Sequence, residues 1–91
     1  MKTTIKKKNE NLLAWIEEER GLIIEGHWAV GIPKTIAIKY VNEYDSLESL
    51  NGGFVEYEDS SKVILTHNES KITLTKSETS AIIEMIKAAY M

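Results

Sequence analysis

The chain contains no cysteine, one proline and one phenylalanine among its 91 residues. Without cysteine, disulfide staples, thiolate zinc sites and a cysteine nucleophile are all excluded. Small secreted domains often depend on such staples, so the cytoplasm is the expected compartment. No apolar run approaches the roughly 20 residues that a membrane helix needs. The lysine-rich start, Met1 to Lys8, is not followed by the apolar stretch of a signal peptide. Asn68-Glu69-Ser70 has the N-glycosylation spacing, but without a secretion signal it reads as a turn.

Motifs for chemistry are equally sparse. Gly26-His27-Trp28-Ala29-Val30-Gly31 has the glycine spacing of a phosphate loop, yet Ile32-Pro33 displaces Lys34 by two positions. No G-x-S-x-G elbow marks an activated serine. His27 and His67 are the only histidines. With Glu25 near His27, they form the basis for a metal-dependent or histidine-dependent enzyme if the fold brings them together. The ordinary alternative is a surface or half-buried imidazole. No cofactor and no metal are expected, and the chain is read as a non-enzyme.

What is present is a composition of 43% hydrophobic and 27% charged residues, typical of a folded globular chain. Thr75-Lys76-Ser77-Glu78 has capping-box spacing, with Ser77 as a competing cap. Ile82, Met85, Ile86, Ala89 and Tyr90 then repeat at helical spacing, with Ile83 at the border, which predicts a helix over 77–90. Residues 63–67 and 71–75 are β-branched strand candidates joined at Asn68-Glu69-Ser70 as a three-residue loop. With the alternating segment 54–58, they predict a three-stranded meander over 54–75. Residues 35–41, after Pro33, read as another strand, and 22–30 as a further one in which Gly26 marks a bulge or close backbone approach. Residues 45–50 suit a helical turn ended by Asn51-Gly52-Gly53. Residues 9–21 are ambiguous. A helix capped by Asn9 and stopped by Gly21 is favoured by Leu, Ala and Glu content over a strand turning at Arg20-Gly21. The expected architecture is one α+β domain over 1–91: an antiparallel sheet of about four to six strands with a C-terminal helix packed on one face.

Charge is the most informative feature for function. Residues 1–8 carry four lysines and no acid, and 9–59 carry eleven acids against Arg20, Lys34 and Lys39. The total of −3 therefore hides a strongly acidic middle. Glu17, Glu18, Glu19, Glu43, Asp45, Glu48, Glu56, Glu58 and Asp59 are the candidate protein-binding residues, forming an acidic face for a basic protein surface, such as one that normally holds nucleic acid. A solvated, solubilising surface is the plainer reading. An inhibitor or regulator of the kind phages and mobile elements encode is one form of such a binding protein; the Lys-, Ile-, Asn- and Glu-rich composition is common in small genes of AT-rich bacteria and their phages and identifies no family. Lys2, Lys6, Lys7 and Lys8 support a second reading, a nucleic-acid-binding accessory protein, against which the acidic pI of about 5.4 weighs. Otherwise, these lysines blunt a sheet edge. Trp28, on an apolar strand, is expected in the core, while Trp15 fits either the core or a contact surface. A homodimer through an exposed sheet edge remains open.

Overall fold

A computed structural model describes residues 2–7, 10–45, 55–57 and 62–91. Four strands come first: β1 (Lys2–Lys6), β2 (Asn11–Glu17), β3 (Gly21–Glu25) and β4 (Ala29–Ile32). Helix α1 (Lys34–Asp45) follows, then β5 (Val55–Tyr57), β6 (Lys62–His67), β7 (Ser70–Thr75) and helix α2 (Lys76–Tyr90). The strands form two antiparallel meanders, β1-β2-β3-β4 and β5-β6-β7. The fold is α+β, with the C-terminal helix packed against both sheets at β1, β2, β6 and β7.

Two-residue alternation decides the first sheet. Ile5, Leu12, Ala14, Leu22, Ile24 and Ile32 are buried on the helix side. Lys2, Thr4, Lys6, Asn11 and Leu13 are exposed on the other. Of the two readings of 9–21, the strand turning at Arg20-Gly21 is therefore the one that forms, not the favoured helix. Its helix-favouring composition is overridden because Leu12, Ala14 and Ile16 share a face only at period two, and β2 is paired along both edges. Gly21 ends the turn at φ +89, and a Cβ there would sit 2.1 Å from the Ile32 carbonyl oxygen.

Three further expectations are corrected. Residues 22–30 are two strands joined by a bend at Gly26-His27-Trp28. The close approach expected at Gly26 is present: a Cβ there would lie 2.3 Å from Leu12 Cδ2. Trp28 sits in the bend and is 38% exposed, outside the core. Residues 35–41 belong to α1. The β-branched run pointed to a strand, but Ala37, Tyr40 and Val41 are buried with Tyr44 half-buried, a helical repeat. The Pro33 carbonyl receives the first helical bonds, from Ile36 and Ala37 N–H. Pro33 lacks an N–H to continue the ladder, so the strand stops there and the helix begins.

The second half follows its expected pattern more closely. The meander forms as β5-β6-β7, with Val63↔Leu74 and Leu65↔Ile72 in register and buried. The β6–β7 loop holds two residues rather than three, since His67 pairs Ser70 and Asn68 takes φ 54. Asn tolerates that left-handed geometry, which is how the turn closes without glycine. Thr75, not Ser77, caps α2. Its hydroxyl accepts the Glu78 N–H at 3.1 Å, and Glu78 Oε1 accepts the Thr75 N–H at 3.0 Å. Thr79, Ile82, Ile83, Met85 and Ile86 are buried on α2, whereas Ala89 is exposed. The turn expected over 45–50 lies outside the described residues apart from Asp45, which ends α1.

Helix α1 is tied to its surroundings by polar bonds. The Tyr40 ring is fully buried, and its hydroxyl donates to the Thr66 carbonyl at 2.7 Å. Burial, with Glu43 nearby, raises the Tyr40 pKa above its usual value. The neutral phenol is thus the form the fold holds, and stability is lost as pH rises past the free tyrosine value near ~10. Tyr44 and Ser80 hydroxyls meet at 3.0 Å between the helices. Tyr40→Phe is expected to lower unfolding free energy by about 0.5–1.5 kcal/mol, because it removes the bond from this buried hydroxyl to the Thr66 carbonyl. Thr75→Ala should cost about 1 kcal/mol through the lost cap. Urea unfolding checks both, and a neutral Tyr40→Phe contradicts the assignment.

Candidate functional site

Both helices contact the first sheet from one side, leaving its outer face open among the described residues. Register builds that face row by row. Lys2, Trp15, Ile23 and Gly31 lie side by side across the four strands, and Thr4, Leu13, Glu25 and Ala29 form the neighbouring row. Leu13 is 40% exposed. Ile23 is buried on this helix-free face, flanked by Trp15 and Gly31. An apolar strip of Leu13, Trp15 and Ile23 thus runs across strands whose opposite side already supplies the core.

Polar groups hold the strip in place. The Trp15 indole N–H donates to Glu17 Oε1 at 3.2 Å, and the Lys2 ammonium lies 5.4 Å from the Trp15 ring. Glu17 also takes both arms of Arg20, at 2.5 Å from Nε and 2.8 Å from the terminal nitrogen. Hydrogen bonding from Arg20, then from Trp15, pushes the Glu17 pKa down to about 2. The same pair raises the Arg20 pKa. Glu18 and Glu19 follow in the β2–β3 turn and are exposed, as is Glu25. At the other end of the sheet, His27 Nδ1 lies 2.7 and 2.8 Å from the two carboxylate oxygens of Glu10. The Trp28 ring stands edge-on to the imidazole, 6.2 Å away.

The expected acidic face is only partly assembled. Glu17, Glu18 and Glu19 share one turn, but Glu17 is paired within the chain. Glu43 is half-buried and its Oε1 accepts the Val55 N–H at 3.1 Å, joining α1 to β5. Asp45 closes α1, and Glu56 pairs Ile64 across β5 and β6. Glu48, Glu58 and Asp59 lie outside the described residues. Sequence reasoning missed Leu13 and Glu10, placed Glu25 beside His27 rather than on the open face, and expected Trp28 in the core. The available signal was that Leu13 and Trp15 alternate with Leu12 and Ala14, making one strand apolar on both sides.

Of the N-terminal lysines, Lys2 and Lys6 are exposed on the open face of β1, while Lys7 turns its ammonium to β7. Lys2 lies over Trp15, the Lys6 N–H donates to Glu78 Oε2 at 2.9 Å, and the Lys7 ammonium donates to the Thr73 carbonyl. Lys8 lies outside the described residues. The histidines are on different sheets. His27 partners Glu10 rather than Glu25, and His67 neighbours Asn68 at 3.4 Å. No group of three metal-capable side chains occurs among the described residues. No described helix is long and apolar enough to cross a membrane.

No protein family, curated protein or solved structure matches this chain.

The Glu17 pair makes a pH prediction. A carboxyl with a depressed folded pKa adds stability that is present above its ordinary value of 4.5 and lost as pH falls through about 2. Wild type is expected to exceed Glu17→Gln in stability at neutral pH, with the gap closing across that window. Urea unfolding at stepped pH measures it. A gap that stays constant down to the acid end contradicts the pairing.

Proposed function

We propose that this chain is a non-enzymatic protein-binding module that presents the open face of its four-stranded sheet, flanked by carboxylates, to a basic protein surface. The observation that carries this reading is the exposed Leu13 beside Trp15 on the face that neither helix covers. A partly exposed aliphatic side chain next to an ordered indole is suited to a contact centre, where large rigid side chains carry most of the binding energy. Glu18, Glu19 and Glu25 surround it without burial, so they are available to steer a cationic surface by long-range attraction.

Compared with a spread from 17 to 59, the proposed contact is smaller and centred on the first sheet. Glu17 and Arg20 act as its scaffold, fixing the indole and the turn, while Glu18 and Glu19 project outward. A partner whose basic surface is covered loses access to its own anionic ligand, which is why inhibition or regulation fits this reading better than transport or catalysis. Against the nucleic-acid alternative stands the acidic pI of about 5.4.

The test compares affinity capture by wild type, Leu13→Asp and the Glu18→Lys/Glu19→Lys double variant. A partner held by wild type is expected to be lost with Leu13→Asp. The charge reversal should weaken association and reduce its salt dependence. Equal capture by all three removes this face from the function.

A further inference from the structure

The two outer edges of the first sheet are treated in opposite ways. Edge strand β1 carries Lys2 and Lys6, and the Glu78 carboxylate occupies its Lys6 N–H. Lysines and covering groups of this kind prevent a strand from pairing with another chain. Edge strand β4 reads Ala29-Val30-Gly31-Ile32, with no charge and no proline inside it. The Gly26 N–H donates to the Trp28 carbonyl at 2.7 Å. Antiparallel alternation from that pair turns Val30 and Ile32 toward β3 and leaves the peptide groups of Ala29 and Gly31 facing outward. Both residues are exposed.

We infer that β4 is a self-pairing edge, at which a second copy of this chain adds antiparallel about a two-fold axis through Val30 to form an eight-stranded sheet. The register is fixed by the strand itself. Centring on Val30 sets Ala29 against Gly31 of the second copy, and the reverse, so all the outward peptide groups of both strands find partners. The outer-face side chains at the junction are then only Ala29 and Gly31, small enough for close approach. Trp28 falls opposite Ile32 of the second copy, giving each exposed indole a seat beside Pro33 at the start of the other α1. Lys34, whose ammonium lies 5.3 Å from the Tyr90 ring of its own chain, is carried toward the Gly26 end of the other copy, where the exposed Glu25 brings opposite charge. The two Glu25 side chains stay in different rows and three strand spacings apart, roughly 14 Å at ~4.8 Å per strand, so they do not oppose each other. An extended segment of a different protein would satisfy the same peptide groups but would leave the matched Trp28–Pro33 and Lys34–Glu25 positions unused.

Sedimentation equilibrium of the full chain tests this inference independently of any partner. Wild type is expected to approach twice the 10.3 kDa chain mass as concentration rises. Ala29→Lys and Gly31→Lys should return it to the single-chain mass. Both point outward, and a Cβ at Gly31 meets only ordinary contact with Ile23 Cδ1 at 3.6 Å. Circular dichroism confirms that each variant keeps its fold. Trp28→Ala should weaken association roughly tenfold or more. A wild type of single-chain mass up to about 1 mM, or a dimer that survives both lysine substitutions, overturns the inference. Association unaffected by Trp28→Ala overturns the register, which seats that indole against the second copy.

Discussion

One carboxylate, that of Glu78, joins the two halves of the molecule. Its Oε1 accepts the Thr75 N–H and completes the cap of α2, while its Oε2 accepts the Lys6 N–H from the edge of β1. The first sheet is thereby tied to the point where the second sheet ends and α2 begins. The Lys7 ammonium adds a second tie, to the Thr73 carbonyl of β7. These bonds stand where a strand-to-strand ladder would otherwise run, and they fix α2 so that its buried stripe meets both sheets. Each fully buried isoleucine on that stripe contributes about 1.5–3 kcal/mol, so the helix outweighs any single polar contact. The polar contacts decide where the helix sits.

That placement has a functional consequence. With α2 on β1 and β2, and α1 on β3, the helices lie on one side of the first sheet. A sheet covered on one side ordinarily alternates apolar and polar residues. Here β2 departs from the rule, because Leu13 and Trp15 are apolar on the open side. The local network of Glu17, Arg20 and Lys2 orders the indole in place of a covering helix. The protein-binding reading centres there because this face is apolar, ordered and flanked by the exposed carboxylates of Glu18, Glu19 and Glu25.

The parts of the fold legible in the sequence were those with a local cause. The capping box, the stripe of Ile82, Met85 and Ile86, and the β-branched hairpin of β6 and β7 each state their structure within a few residues. Residues 9–21, ambiguous between helix and strand, and 35–41, expected as a strand, are the segments whose local propensity opposes their tertiary role. Leu and Ala in β2 favour a helix in isolation, but two flanking strands supply its hydrogen bonds. Ile36 and Ile38 in α1 favour a strand, but burial of Ala37, Tyr40 and Val41 against the rest of the core rewards helical spacing. The candidate site was less legible. A run of acids says nothing about which carboxylates find a partner within the chain, and Glu17 and Glu43 both do, at Arg20 and the Val55 N–H. Trp28 looked like a core residue because its neighbours in sequence are apolar, whereas the bend at 26–28 carries it out of the sheet.

The central claim is that the helix-free face of the first sheet is the contact surface, and isotope-edited NMR with a captured basic partner tests it most directly. The account predicts that the Leu13 and Ile23 methyl signals and the Trp15 indole signal shift or broaden on addition of partner, while the Ile82 and Ile86 methyls beneath the sheet stay in place. Perturbation confined to α1 or α2, with Leu13 and Trp15 unchanged, would contradict it.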